Sequence, residues 1–134
     1  MENLVVLLQR ATHVTLQNLA TELADLGLTA SEVNVLANLA DGRPRTVSEL
    51  GAAAGVRPTT LTGVLDRLEE KGQLSRSARA GDRRAVEVSL TSAGSRSAAR
   101  VAEAFAALES RALQGLPESA VKQARRVLNA LAAS

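Results

Sequence analysis

The residues best placed to do chemistry in this sequence are threonines and arginines of the middle third. Pro58-Thr59-Thr60-Leu61-Thr62-Gly63 sets three hydroxyls and a small residue close together, with Arg67 one helical turn beyond. Further along, Arg79-Ala-Gly-Asp-Arg-Arg84 gathers three guanidinium groups around a glycine. A threonine hydroxyl donates or accepts a hydrogen bond, and its methyl packs against an apolar group such as that of thymine. A guanidinium is permanently charged and matches the geometry of phosphate. Both chemistries belong to recognition. The chain has no Cys, and His13 is its only His. No thiolate nucleophile, Cys-based zinc site or thiol redox switch can be built, and no carboxylate–His spacing suggests acid–base work. The expectation is a protein that is not an enzyme and needs no metal or cofactor.

Charge points the same way. The net charge is +2, but it is unevenly spread. Residues 1–42 carry one basic and five acidic residues, a net of −4; residues 43–84 carry nine and five, a net of +4; residues 85–134 carry six and four, a net of +2. A local basic excess draws polyanions. No basic segment leads into an apolar run of the signal-peptide kind, and no stretch is apolar enough to span a membrane, so the sequence predicts a cytoplasmic protein. Phe105 is the only aromatic residue. The core must therefore be packed from Leu, Val and Ala, which suits helix–helix contacts.

The elements that hold these residues can be read from periodicity and punctuation. A long helix is predicted over 4–26, ended by Gly27. Thr29-Ala-Ser-Glu32 is a capping box, and a second helix follows to about Ala40. Asp41-Gly42-Arg-Pro44 is a turn. Thr46-Val-Ser-Glu49 is a second capping box, opening a short helix over Val47–Ala54 that stops at Gly55. Pro58 suits the first turn of the next helix, which runs to about Lys71 and buries Leu61, Val64, Leu65 and Leu68. Its other face carries Thr59, Thr62, Gly63, Asp66 and Arg67. The period then changes to two. Leu74–Ala78 and Ala85–Leu90 are predicted as a β-hairpin with residues 79–84 as its basic loop. Thr91 caps a helix to about Leu113, and a last helix runs over 118–133 with Val121, Ala124, Leu128 and Leu131 as its apolar stripe.

A short helix, a glycine turn, a second helix with a polar outer face and a basic hairpin make a winged helix-turn-helix. The DNA major groove admits one α-helix, and the N-terminal residues of the second helix of such a pair reach base edges. Arg67 is placed to reach a phosphate, and Arg79, Arg83 and Arg84 the backbone or a narrow minor groove. Arg43 and Arg45, just ahead of the capped helix start at Thr46, are either further phosphate contacts or part of an ordinary exposed loop. Glu69-Glu70-Lys71 reads as a solvated helix end, and His13 as a packing or interface residue.

The order Leu68-Glu-Glu-Lys-Gly72, Arg76, Asp82-Arg-Arg84, Leu90-Thr91 and Gly94 resembles the multiple-antibiotic-resistance regulator (MarR) family over almost the whole chain. That resemblance implies a mainly α fold with a small β-hairpin wing in a single domain over 1–134. The winged helix would span about 29–91, with dimerisation helices at about 2–26 and 92–134. It implies that Asp82 and Arg84 pair and stiffen the wing, that Arg83 enters the minor groove, and that Pro58, Thr59, Thr60, Thr62 and Gly63 lie where bases are read. Gly63 stands where relatives often carry an Arg, which shifts readout toward the threonines. The function implied is a homodimeric repressor on a palindromic operator of double-stranded DNA, responsive to a small aromatic or anionic effector. With so few aromatic residues, any pocket should have aliphatic walls, with His13 or an Arg for polarity. A regulator with no effector and a winged helix used for protein contacts are the competing readings.

Overall fold

The structure is a computed structural model that describes residues 1–134. Helix α1 spans Leu4–Glu22, started by the Asn3 side chain accepting from the Val5 N–H. It is shorter than the periodicity predicts. Residues Ala24–Leu26 tighten into a single 3₁₀ turn before Gly27 closes it in the left-handed conformation. Helix α2 covers Ala30–Ala37 and continues only as turns toward Asp41. Both capping boxes form, Thr29 with Glu32 and Thr46 with Glu49, each with two reciprocal hydrogen bonds. Helix α3 is Val47–Ala54, closed by Gly55, and α4 is Pro58–Glu70.

Strands β2 (Leu74–Arg79) and β3 (Asp82–Leu90) form the hairpin, joined by Ala80 and Gly81. A two-residue connection needs positive φ, and Gly81 supplies it at 84°. The sequence reading missed a third strand, β1, because it is two residues long, Arg45–Thr46, and exists only by pairing with Val88 and Glu87 of β3. The sheet order is β1-β3-β2, wholly antiparallel. Helices α5 (Ser92–Ala112) and α6 (Glu118–Ala132) complete the chain.

One core holds the helix-turn-helix and the base of the sheet together. Leu36 and Leu39 beyond α1, Leu50 of α3, Leu61, Leu65 and Leu68 of α4, Leu74 and Val88 of the sheet, and Val101 of α5 are all buried. Gly94 is fixed by close approach: a Cβ there would lie 1.7 Å from the Gln73 carbonyl oxygen. The Thr91 hydroxyl caps α5 at Gly94 and donates to the Gly72 carbonyl. The stretch from Leu90 to Gly94 thus docks α5 onto the turn that follows α4.

No helix is long and apolar enough to cross a membrane. Helix α6 buries no residue, and its Val127 and Leu128 are 41% and 47% exposed. Leu4, Val5, Val6 and Val14 of α1 are exposed as well.

Candidate nucleic-acid interface

Helix α4 is held by its apolar face, with Leu61, Val64, Leu65 and Leu68 buried and Thr59, Thr60 and Thr62 exposed. Pro58 begins the helix, and its N-cap residue, Arg57, makes no side-chain cap bond. The first-turn N–H groups of α4 are therefore not sealed by a side chain, as those of α3 are by Thr46 and Glu49. Open N–H groups and the helix dipole favour an anion there. The Thr62 hydroxyl donates to the Pro58 carbonyl at 3.0 Å, so its proton is used within the helix while the residue stays exposed.

Gly63 is half-buried. A Cβ at Gly63 would stand 3.5 Å from a terminal guanidinium nitrogen of Arg67. Arg67, one turn on, leans over the space that a side chain at 63 would fill. Its Nε also lies 3.9 Å from Glu32.

The hairpin is anchored by arginines, and only some of its charge is free. Arg76 of β2 bonds Asp66 and Glu69 of α4 at 2.7 and 2.9 Å. Hydrogen bonding to Glu69 and Asp66 raises its already high pKa. Arg79 bonds Glu87 at 2.9 Å and Glu49, on α3, at 2.8 Å. Glu87 and then Glu49 raise the Arg79 pKa. The Glu49 carboxyl is held below its ordinary range, first by the Thr46 N–H, then by the Thr46 hydroxyl and Arg79. Arg79 fastens the wing to α3. Its charge is met by two carboxylates through Nε and Nη2, while Nη1 has no partner.

Arg83 and Arg84 differ. The pairing runs regularly from Leu74↔Leu90 to Ala78↔Val86 and then jumps to Arg79↔Asp82. Arg83, Arg84 and Ala85 bulge out between those pairs; they belong to β3 and not to the loop read from the sequence. A bulge re-aims side chains away from the ladder. Both arginines are exposed and neither meets a carboxylate. Asp82 does engage Arg84, but through the backbone: its Oδ1 accepts the Arg84 N–H at 3.0 Å. The carboxylate lies within reach of the nearer donor, so the turn is stiffened while the guanidinium stays free.

A cleft of about 700 Å³ brings the two parts together. Pro58 and Thr62 line one wall, and Asp82 and Arg84 the other. The start of α4 and the bulge of the wing thus share one face. Arg57 belongs to this neighbourhood by its place at the head of α4. Sequence reasoning passed it over, although a basic residue just before a helix-opening proline was the signal.

Other expectations change. Arg45 is spent on the Asn38 carbonyl and Asp41, so of the pair before α3 only Arg43 has a side chain without a partner. Glu69, Glu70 and Lys71 are exposed, as a solvated helix end should be, but two of them also carry bonds. Glu69 bonds Arg76, while Lys71 bonds the fully buried Glu32 at 2.8 Å and the Gly27 carbonyl at 3.3 Å. Burial alone would raise the Glu32 pKa, but the bonds from Lys71 and the Thr29 N–H outweigh it and hold it low.

A second cavity, of about 430 Å³, lies between α1, the start of α2 and Phe105 of α5. Its walls are aliphatic apart from Phe105 and the short polar residues Thr12, Thr15, Ser31 and Asn34. Neither His13 nor any arginine lines it; His13 is exposed on α1.

Residues 28–86 match the sequence profile of the MarR family. The chain is 33% identical to the HTH-type transcriptional repressor MdtR of Bacillus subtilis (strain 168), over 79% of this chain and 68% of that protein. The structure superposes on CouR from Rhodococcus jostii RHA1 bound to p-coumaroyl-CoA with a TM-score of 0.81 and 26% identity, covering 98% of this chain and 92% of that one. It superposes on Bordetella bronchiseptica BpsR, whose DNA binding is regulated by 6-hydroxynicotinic acid, with a TM-score of 0.78 and 25% identity, covering 97% and 98%.

Proposed function

The chain belongs to the MarR family of transcription regulators, and we propose that it is a homodimeric repressor that binds an inverted-repeat operator and releases it when a small molecule enters the cavity beside α1. The observation that carries the reading is the division of labour among the arginines of the winged helix. Arg76, Arg79 and Arg45 are bonded to carboxylates and hold the structure. Arg57, Arg83 and Arg84 are exposed and free of carboxylates, Arg57 at the open N-terminus of α4 and Arg84 on the cleft wall opposite Pro58 and Thr62. A face that neutralises its own charge elsewhere and leaves it bare here suits a polyanion.

On this reading Pro58, Thr59, Thr60 and Thr62 meet base edges in the major groove. Arg67 meets a phosphate and also covers the surface left by Gly63. Arg83 and Arg84 enter the adjacent minor groove or grip its backbone. Asp82 sets the wing turn through the Arg84 N–H. The bare apolar faces of α1 and α6 pair with a second copy, which sets two recognition helices about one DNA turn apart.

The test is selection of genomic fragments by the purified protein, followed by a salt titration on the selected site. The expected outcome is an inverted repeat whose affinity falls steeply with salt as counterions are released. A protein-contact module would retain no DNA and show no such slope.

A further inference from the structure

The chemistry of the walls of the cavity between α1, α2 and α5 restricts what can occupy it. We infer that it takes an uncharged molecule, a small and largely hydrocarbon body bearing a hydroxyl group, and that it discriminates against carboxylates; this rests on the reading of the protein as ligand-responsive.

No charged residue lines the cavity. A carboxylate placed there would lose its water and gain no cation. Arg100 of α5 is turned to the Glu22 carbonyl at 2.9 Å and stands beside the carboxylates of Glu22 and Asp25. The two threonines of the α1 wall also have the wrong sense for an anion. The Thr12 hydroxyl donates to the Leu8 carbonyl at 2.8 Å, and the Thr15 hydroxyl to the Ala11 carbonyl at 2.8 Å. Each hydroxyl proton is spent on the helix, so what both can offer a ligand is an oxygen lone pair. Asn34 is engaged at both ends of its amide: Nδ2 donates to the Ala54 carbonyl at 3.1 Å, and Oδ1 accepts from Asn38 at 3.2 Å. The α1 wall thus presents acceptors that pair with a donor, and a neutral O–H is one that can also accept from the Ser31 hydroxyl. A carboxylate has only acceptors to give. The volume, about 430 Å³, is in the range of small-molecule sites.

Two probes of nearly equal size separate the cases. At pH 7, 4-ethylphenol is neutral and 4-hydroxyphenylacetate is an anion. Binding to the full chain is measured by calorimetry and by the rise in melting temperature that a native-state ligand produces. Release of the selected operator is followed in parallel by anisotropy. The expected result is binding of 4-ethylphenol at least about ten-fold tighter than the acid, because the acid's charge would lose water there without gaining a cation. Thr12→Arg, at an exposed site on α1, gives the wall a cation and should reverse the order. Equal or tighter binding of the acid by the natural chain overturns the inference; if the acid also releases the operator, the ligand-responsive reading stands without it. Preference for 4-ethylphenol with no effect on the operator upholds the cavity chemistry and removes the ligand-responsive reading. If neither probe binds at millimolar concentration, or Thr12→Arg changes neither affinity, the cavity is not the site and the inference fails.

Discussion

Helices α4 and α6 are of similar length, 13 and 15 residues, and both carry an apolar stripe at helical spacing. Their fates in the chain are opposite. Helix α4 buries four side chains and turns its polar face outward. Helix α6 buries none. Short isolated helices are marginal in water, and most of their stability in proteins comes from packing an apolar face. The order of α4 is accounted for within this chain, that of α6 is not. The candidate recognition surface is therefore a product of the single protomer; on the proposed reading, the spacing between two such surfaces is a product of association.

The sharpest way to break that contrast is to remove the packing of α4. Leu65→Ala should lower stability by about 2–5 kcal/mol through lost burial and the cavity left behind. Urea unfolding followed by circular dichroism would read it, and the loss should not depend on protein concentration. A concentration-dependent loss would mean that the core of the winged helix is itself assembled between chains.

The complementary change is Leu128→Asp in α6. It should leave the winged helix folded but abolish association, seen by sedimentation. Affinity for an inverted repeat should fall on the order of 100-fold, because one half-site no longer tethers the other. The natural chain should melt at a temperature that rises with concentration, and the variant should not. A variant that still sediments as a dimer would move the interface away from α6.

These helices also show what the sequence could disclose. The bounds of α3 and the start of α4 are written locally, in Thr46-Val-Ser-Glu49, Gly55 and Pro58, and the structure follows them. The end of α1 is less legible, because periodicity does not distinguish a final 3₁₀ turn from an α-helical one. Strand β1 has too few residues to carry a pattern and depends on a strand some forty residues away, a long-range pairing that local rules do not see. The residues of the proposed site were visible as types and positions, but their availability was not. Arg79 and Arg83 look alike in the sequence. Only the fold brings Glu49 and Glu87 to the first and leaves the second on a bulge.

A smaller effect is expected at the rear of α4, where Lys71 holds the buried Glu32. Glu32→Gln should cost about 1–3 kcal/mol, since the group is buried and its partners lose a charge-assisted acceptor. It should also change the response to acid. The Glu32 pKa lies below its ordinary 4.5, so the unfolded chain takes up the proton first. Its contribution is complete above that value and is lost as pH falls through the lower, folded one. The pKa values of Glu49 and Asp41 are lowered too, and act in the same direction. Stability measured by urea unfolding between pH 7 and pH 3 should hold and then drop, and the drop should be shallower in Glu32→Gln. An unchanged acid limb would show that Glu32 is not a group on which the acid response depends.

The smallest effects should come from single arginines, and a paired measurement makes them decisive. Arg83→Ala removes a free charge from the bulge. It should weaken operator binding and reduce the slope of log affinity against log salt by about 1, with little change in melting temperature. Arg79→Ala removes a charge already neutralised by Glu49 and Glu87. It should loosen the wing and lower affinity indirectly, while the salt slope stays near that of the natural chain, because no phosphate contact is lost. Anisotropy titrations at four or five salt concentrations separate the two. If the slopes change equally, Arg79 leaves its carboxylates when DNA arrives, and the wing is rebuilt on binding instead of being set in advance.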